Sequence, residues 1–322
     1  MAISSIKNKT SGRKLLVANT TWSSNSANPA GRGLFMGGAS SVEVNVIDYI
    51  AIASLGNATD FGDLTIVKNS GGAVGSSTRA VHAGGYNNSV GTKVMDYVAF
   101  ATTGNATSFG DLVTGGLYGY GSGSETRGLF ASRYQYNGTI DYITIATTGN
   151  AINFGSLSQG RHGVGSSGST TRVVHAGGET GVPGTKIDYN TIASTGNATN
   201  FGDLLYRCYV PQSASSSTRA LFIAGYDKTG VGYGYTEYVT IASTGNATGF
   251  GYLRPSGSYG DNAYYTGGAV SNSLRAVAGG GVNFGAQMDY FTIASTGNAA
   301  DFGDLTVTRS GAAAASNAHG GL

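Results

Sequence analysis

The sequence contains little charge, little proline and almost no cysteine. Lysine, arginine, aspartate and glutamate make up 11% of the 322 residues, whereas a typical soluble domain has about 25%. The four prolines exclude a collagen-like chain. The single cysteine, Cys208, excludes an internal disulfide framework and a cysteine-rich zinc module. The formal net charge of +2 is too small for nucleic-acid binding through phosphate neutralisation, so no nucleic-acid partner is predicted.

Long apolar segments are also missing. No apolar run approaches the ~18 residues that a membrane helix needs, so no membrane insertion is predicted. The first ten residues alternate polar and apolar side chains and lack the apolar core of a signal peptide. The chain is instead rich in glycine, with 54 residues, and in tyrosine, with 20. Because each glycine within a helix costs about 1 kcal/mol relative to alanine, we expect the glycines in turns between short strands.

A repeated string dominates the sequence. Gly-Asn-Ala followed by x-x-Phe-Gly-x-Leu occurs six times, with a mean spacing of about 48 residues. This period is typical of the four-stranded blades of a β-propeller, which run about 40–50 residues. The Gly-Asn pair is a turn signal, and the glycine is expected to let the third strand of a blade reverse into the fourth. The six strings begin at Gly56, Gly104, Gly149, Gly196, Gly245 and Gly297.

Each repeat unit is interpreted as four short strands. Examples in order are Arg309–Ser316, Arg219–Gly225, Asp141–Ala146 and Phe61–Leu64, and the third alternates with the period of two expected of β structure. The second-strand pattern first appears at Arg32 without a first strand before it, and 309–316 has no second strand after it. The sequence therefore predicts an all-β, six-bladed propeller of four-stranded blades, in which the N- and C-terminal strands share one blade.

The order of these pieces resembles the kelch β-propeller over about residues 31–322. Kelch units contain Arg-Ser-Gly, a small-residue strand, a strand ending in Gly-Gly and a strand with an acid and a tyrosine. Here phenylalanine replaces the kelch tryptophan of the fourth strand, and the only tryptophan, Trp22, lies outside the predicted ring. The matching glycine pairs are Gly37-Gly38, Gly84-Gly85, Gly177-Gly178 and Gly279-Gly280.

The full string is similar to repeats of another group of proteins. Ser-Thr-Gly-Asn-Ala-Thr-x-Phe-Gly-Asp-Leu, present at 194–204, resembles repeats in virion and tail proteins of aquatic bacteriophages, especially cyanophages. This resemblance implies a place on the surface of a phage particle and says little about chemistry.

Three kinds of residue recur at matching positions in all six units. The arginines and acids are predicted to be structural, forming ion pairs within blades or hydrogen bonds to loop carbonyls. The alternative, in which the arginines hold a substrate carboxylate as in sialidases, is disfavoured because a catalytic site breaks the symmetry of a ring. The arginines are Arg32, Arg79, Arg127, Arg172, Arg219 and Arg275, the acids are Asp48, Asp96, Asp141, Asp188, Glu237 and Asp289, and the tyrosines are Tyr49, Tyr97, Tyr142, Tyr189, Tyr238 and Tyr290.

The other fourteen tyrosines lie in the variable parts of the repeats. In an antiparallel meander the loops after strands two and four open on one face, so one face is predicted to be variable and tyrosine-rich and the other repetitive. Tyrosine suits stacking on sugars and contact with proteins, and loops on a rigid scaffold carry binding residues. The tyrosines of the variable face are therefore predicted to bind a ligand. The alternative is that their rings fill gaps between blades. The eleven ligand-binding candidates are Tyr86, Tyr118, Tyr120, Tyr134, Tyr136, Tyr226, Tyr233, Tyr235, Tyr259, Tyr264 and Tyr265, and the remaining three are Tyr206, Tyr209 and Tyr252.

Residues 1–30 form a distinct basic segment ahead of the propeller, which is assigned to 31–322. The segment contains Lys7, Lys9, Arg13 and Lys14 and no acid, whereas the rest of the chain has 15 basic and 17 acidic residues. We interpret it as an arm that anchors the ring to other virion proteins, with Trp22 inserting into a partner's pocket. The alternative is a disordered or ring-capping leader.

A search for reactive groups favours a protein without catalysis. His82 and His175 stand at the repeat position of Phe35, Phe130 and Phe222 and are predicted to be core residues. The sequence has no zinc-binding spacing, no Walker loop and no nucleophile elbow, so no metal, cofactor or catalytic residue is predicted. The acids of the variable loops, which would have to supply the carboxylate pair of a glycosidase, are Glu43, Glu179, Asp227 and Asp261.

These observations together predict a non-enzymatic virion structural protein of a phage, the head of a tail fibre or appendage. The variable face is expected to bind a host-surface glycan or protein, and self-association within the particle is compatible with this. The alternatives are a capsid decoration or structural spacer and, less favoured, a glycan-degrading propeller.

Overall fold

The computed structural model describes residues 31–116, 119–133, 136–226, 234–253, 267–281 and 285–322. These residues form 26 β-strands and no α-helix, and none of them lies in a helix long and apolar enough to cross a membrane. The strands form six antiparallel four-stranded sheets and one separate hairpin.

The sheets are numbered as blades I to VI. Within each blade the strands are given in sheet order. Blade I contains β26 (Ala313–Ser316), β1 (Arg32–Met36), β2 (Val46–Ala51) and β3 (Thr59–Asp63). Blade II contains β4 (Gly72–Gly75), β5 (Arg79–Ala83), β8 (Val94–Ala99) and β9 (Thr107–Asp111). Blade III contains β10 (Gly121–Gly123), β11 (Arg127–Arg133), β12 (Asn137–Thr144) and β13 (Ile152–Ser156).

Blade IV contains β14 (His162–Gly168), β15 (Arg172–Glu179), β16 (Gly184–Thr191) and β17 (Thr199–Cys208). Blade V contains β18 (Gln212–Ser215), β19 (Arg219–Ile223), β20 (Tyr235–Thr240) and β21 (Thr248–Tyr252). Blade VI contains β22 (Gly268–Ser271), β23 (Arg275–Gly279), β24 (Gln287–Thr292) and β25 (Ala300–Asp304). The hairpin between β5 and β8 consists of β6 (Tyr86–Asn87) and β7 (Val90–Gly91).

The six sheets close into a ring, which confirms the predicted six-bladed propeller. The first strand of each sheet lies beside the first strands of both neighbouring sheets, from β4 around to β26, so these strands surround a central axis. Blade I joins the two ends of the described chain, because Leu34 of β1 pairs with Ala315 of β26 and Phe35 pairs with Ala314. The predicted sharing of one blade is therefore correct, and β1 is paired on both sides.

The hydrophobic core lies between neighbouring blades. Leu34 and Phe61 of blade I, for example, pack with Ala73, Val98 and Phe100 of blade II. In every blade the pairing of the third and fourth strands shifts at the Phe-Gly pair, and the phenylalanine is the extra residue of a β-bulge. These phenylalanines are all buried, so the bulge delivers one aromatic ring per blade to the core.

The repeated string fastens each blade to the preceding one. The N–H groups of Gly149 and Ala151 donate to the carbonyls of Phe109 and Asp111, each at 2.8 Å, and Asn150 Oδ1 accepts from the Asp111 N–H at 3.0 Å. Equivalent bonds occur at all six junctions, and we call each set the interblade latch. The string was predicted as a turn between strands three and four, which it is, but its bonding to the neighbouring blade was not predicted.

The repeated arginines hold the next blade through its backbone. Arg79 Nη1 donates to the carbonyls of Ile145 and Ala146 at 3.1 and 2.9 Å, and its guanidinium lies 4.4 Å from the centroid of the Tyr97 ring. Tyr97 meets Phe109 edge to face at 6.0 Å. All six arginines stack on the tyrosine of their own blade and bond to a carbonyl of the next. The predicted bonds to loop carbonyls are confirmed.

The other alternative, ion pairs between these arginines and the repeated acids, is wrong for three of the acids, which pair with other cations. Each of those cations stands four residues after the leucine of the string, a position held by Cys208 or glycine in the other units. Burial lowers the pKa of Lys68, and the charge of Asp96 opposes this. The fully or almost fully buried pairs, each at 2.8 Å, are Lys68–Asp96, Arg161–Asp188 and Arg309–Asp48.

Serine hydroxyls join the innermost strands around the axis. The Oγ atoms of Ser213 and Ser271 donate to the carbonyls of Ser166 and Ser215, both at 2.8 Å. The channel inside these strands contains a cavity of about 40 Å³, room for about three waters.

Both mouths of the axial channel are covered. On one side the Tyr120 hydroxyl donates to the Gly267 carbonyl of the opposite blade at 2.6 Å. On the other side His319 Nε2 donates to the Gly75 carbonyl at 2.9 Å, and the Gly320 N–H donates to the Ser215 carbonyl at 3.0 Å. Burial lowers the pKa of His319, and its Nδ1 accepts from the Gly321 N–H. Chain segments thus cross the axis on both sides of this cavity.

Candidate binding surface

The two faces of the ring differ in repetition. The antiparallel order places the loops after second and fourth strands on one face, here called the variable face, and the other loops on the uniform face. The uniform face presents six turns of near-identical sequence that are exposed at every residue and carry no charge: 53–57, 101–105, 146–150, 193–197, 242–246 and 294–298. The uniform face has only single-residue departures, such as Leu55, Glu125 and Leu274, whereas the loops of the variable face differ from one another in length as well as in sequence.

The structure describes five of the eleven candidate tyrosines, and all five belong to variable-face loops or to strand ends beside them: Tyr86, Tyr120, Tyr136, Tyr226 and Tyr235. The candidates outside the described residues are Tyr118, Tyr134, Tyr233, Tyr259, Tyr264 and Tyr265. The predicted anchoring residues also lie outside them: Lys7, Lys9, Arg13, Lys14 and Trp22.

Two of the described candidates have interior contacts. Tyr120 covers the axial channel with its hydroxyl on the Gly267 carbonyl. Tyr86 begins the hairpin of blade II, exchanges backbone hydrogen bonds with Asn69, and has a buried hydroxyl. Both tyrosines thus fill space within the ring, the alternative role considered for this set.

A histidine cluster brings together residues from three blades. His162 and Glu179 are cross-strand partners in blade IV, with Nε2 3.2 Å from Oε1 and both side chains buried. The imidazole lies between Tyr136, at 4.9 Å between ring centroids, and Tyr209, at 5.2 Å. Tyr209 exchanges backbone hydrogen bonds of 2.8 and 2.9 Å with Tyr226. Tyr136 is 43% exposed, so this cluster presents one ring to the outside on a buried polar support.

A second aromatic group, the tyrosine ladder, lies at the junction of blades IV and V. Tyr206 lies in the extended part of β17, and Tyr235 and Tyr252 are cross-strand partners in β20 and β21. Tyr235 lies 5.0 Å from Tyr206 and 5.1 Å from Tyr252 between ring centroids, edge to face in both contacts. Tyr206 and Tyr252 are 42% and 39% exposed. Only Tyr235 of the three belongs to the predicted candidates.

A buried carboxyl group holds the backbone of the ladder. Glu237 accepts from the N–H groups of Leu205 and Tyr206 at 2.7 and 3.0 Å. Burial raises the pKa of Glu237, and these two hydrogen bonds oppose the shift. Burial also raises the pKa of Tyr235, assisted by Tyr206 and Glu237, so its hydroxyl remains a hydrogen-bond donor at neutral pH.

The remaining candidates for chemistry have structural roles where they are described. His82 and His175 are completely buried, which confirms their prediction as core residues. Glu43 accepts hydrogen bonds from Asn69 and from the Asn88 N–H, whereas Asp227 and Asp261 lie outside the described residues. Across the described part of the chain, no group of three or more histidine, cysteine and acidic residues is arranged to hold a metal ion.

Three tyrosines and one histidine of these clusters were missed as candidates. Tyr252 had a clear signal, because it replaces the aspartate of Phe-Gly-Asp-Leu. Tyr206, Tyr209 and His162 had none, because their proximity to other rings depends on how neighbouring blades meet.

Comparison with known proteins gives no family assignment: no protein-family model matches the chain, and no curated protein does.

Proposed function

We propose that the protein is a non-enzymatic component of a phage virion, the head of a tail fibre or appendage, and that its variable face binds a glycan or protein on the host surface. The observation that carries the binding role is the difference between the two faces. Exposed tyrosine rings are grouped in two clusters on the variable face, whereas the six turns of the uniform face repeat one uncharged sequence.

The physical argument rests on rigidity and symmetry. A closed ring with latches at every junction is a rigid scaffold, and binding residues are concentrated on the loops that such a scaffold carries. Tyrosine presents a large apolar surface with few rotatable bonds and a polar tip, so little entropy is lost on binding. A ligand site must also differ from its pseudosymmetric copies, and the two clusters involve blades III to V only.

The virion assignment rests on the sequence. The string at 194–204 resembles repeats of phage virion and tail proteins, and the order of motifs resembles kelch propellers. The basic segment 1–30 suits anchoring to an acidic surface of other virion proteins. Immunogold labelling of phage particles tests the location: labels on the tail support the proposal, and labels confined to the head support a capsid decoration instead.

A labelling experiment tests the binding face. Val182 on the variable face and Leu55 on the uniform face are both exposed, while the native Cys208 is buried. A large polyethylene glycol maleimide on Val182→Cys is expected to block adsorption of the fluorescent protein to aquatic cyanobacterial cells, and the same label on Leu55→Cys to leave adsorption intact. Blocking by the Leu55 label alone would reverse the face assignment.

A further inference from the structure

The junction of blades IV and V departs from the repeat at five positions, four in blade V and one in β17 of blade IV. Tyr252 stands where four other blades have aspartate and one has serine. Tyr235 stands where no other blade has an aromatic residue, and Gly249 stands where the others have aspartate, serine or asparagine. Cys208 replaces the buried cation found in three blades, and Glu237 replaces the aspartate of the other five.

These departures depend on one another. A Cβ on Gly249 would lie 1.9 Å from the Tyr235 hydroxyl oxygen, so the missing side chain gives the Tyr235 ring room to lie along β21. The ring then meets its cross-strand partner Tyr252 at 5.1 Å. Three substitutions in two adjacent strands therefore build half of the tyrosine ladder.

The other half involves the backbone of β17. Glu237 faces Cys208 rather than a cation, and it accepts from the backbone N–H groups of both Leu205 and Tyr206. In the ion-paired blades I and IV the residue after the leucine donates its N–H and its hydroxyl to the acid; Leu205 has no hydroxyl, and the Tyr206 N–H supplies the second bond. β17 runs for ten residues, whereas the fourth strands of the other five blades have five. The extension carries Tyr206 to the third position of the ladder, with Leu205 exposed beside it.

We propose that the tyrosine ladder is a carbohydrate-binding subsite that stacks pyranose rings of a surface polysaccharide. This inference rests on the proposed function of the variable face and names the class of its ligand. Tyrosine rings pack against the apolar C–H face of a sugar, and their hydroxyl groups bond to the sugar hydroxyls at its edge. Tyr206 and Tyr252 lie on either side of Tyr235, whose ring meets both edge to face, and they are 42% and 39% exposed. These two outer rings are therefore the surfaces on which a sugar can stack.

The shape of the junction favours a polysaccharide over other ligands. The cavity beside the ladder has a volume of only about 10 Å³, whereas sites for small apolar ligands enclose about 300–1,000 Å³. A specific protein partner contacts about 20–30 residues on each side, and the ladder with Leu205 offers four. A polymer that crosses an open rim needs neither a deep pocket nor a broad interface.

The test returns the ladder to the sequence of the other blades. Each substitution introduces the residue that another blade has at the equivalent repeat position. Tyr206→Gln, Tyr235→Val and Tyr252→Asp follow Gln159, Val46 and Asp63, respectively, so the triple variant is expected to fold. Val90→Ala, on an exposed residue of the variable-face hairpin in blade II, is the matched control. The probes are cellohexaose, laminarihexaose and an array of immobilised bacterial polysaccharides, with affinity measured by biolayer interferometry and folding checked by circular dichroism.

We expect the wild type and Val90→Ala to bind at least one probe, and the triple variant to bind it at least about tenfold more weakly. Equal binding by the folded triple variant would overturn the ladder as the subsite and leave the proposed function standing. Absence of binding to every probe, with protease-sensitive adsorption to cells, would overturn the ligand class and favour a protein receptor. Absence of both binding and adsorption would overturn the proposed function as well.

Discussion

At the scale of single residues, two buried histidines at the same repeat position have different surroundings. His175 bonds through Nδ1 to Ser166 Oγ at 2.8 Å and through Nε2 to Asn190 Oδ1 at 3.1 Å, whereas neither ring nitrogen of His82 has a hydrogen-bond partner among the described residues. Burial lowers the pKa of both, that of His175 to about 4. The sequence predicted both as core residues but not this difference, which depends on the serine and asparagine opposite His175.

Replacement of each histidine by phenylalanine is expected to have opposite effects. Phenylalanine occupies this position in three other blades, so the site accepts the ring. His82→Phe removes an unpaired buried polar group and should raise the free energy of unfolding by about 1 kcal/mol, while His175→Phe leaves two partners unpaired and should lower it by about 1–3 kcal/mol. Urea denaturation at pH 7 measures both, and a shift of the same sign in the two variants would contradict the assignment.

At the scale of elements, the interblade latch explains why the string repeats so faithfully. Its glycines serve two different purposes. Gly110 receives the backbone of the next blade, because a Cβ there would lie 2.3 Å from the Gly149 carbonyl oxygen, whereas a Cβ on Gly149 itself would meet nothing within 4 Å. Gly149 N–H in turn donates to Phe109. The string is a junction between blades as much as a turn within one.

Substitution at the latch is expected to destabilise the whole ring. Gly110→Ala forces the turn of blade III away and places alanine at a φ of 147°, which together should lower the free energy of unfolding by about 3 kcal/mol. Gly184→Ala is the matched control, because its nearest neighbour would lie at 3.5 Å and its φ is ordinary. Thermal denaturation compares the two, and equal melting temperatures would show that the latch carries no stability.

Strand positions could be predicted from the sequence more closely than strand contacts. The fourth strand, predicted as Phe61–Leu64, is observed as Thr59–Asp63, because the bulge at Phe61 lets pairing begin two residues earlier. The three buried cations were overlooked because only half of the units have one, so that Lys68 and Arg309 do not appear as a constant position. A pattern shared by all units is visible in a single sequence, and one shared by half of them is not.

At the scale of the molecule, the number of blades, their order and the difference between the faces follow from the period and from the parity of an antiparallel meander. The grouping of tyrosines does not. Tyr206 and Tyr252 belong to fourth strands of neighbouring blades, 46 residues apart in sequence, and they meet through Tyr235 only because β17 is extended and Gly249 lacks a side chain. Such contacts depend on loop length and side-chain direction, which no repeat specifies.

The last prediction concerns the strand that closes the ring. Leu34 and Phe35 of β1 are completely buried, and β26 covers their strand through the pairs Leu34–Ala315 and Phe35–Ala314. Deletion of 309–322 removes this cover together with the buried Arg309 that pairs with Asp48, so the shortened protein should expose a strand edge and self-associate.

A synthetic peptide of residues 309–322 is expected to restore the monomer by adding the missing strand in trans. Size-exclusion chromatography with light scattering follows self-association, and fluorescence anisotropy of the labelled peptide follows its capture. The matched control is a peptide with Arg309→Ala and Ala315→Asp, which loses the ion pair and places a charge opposite Leu34, and which should not bind. A shortened protein that stays monomeric with an unchanged melting temperature would show that closure by β26 contributes nothing to the ring.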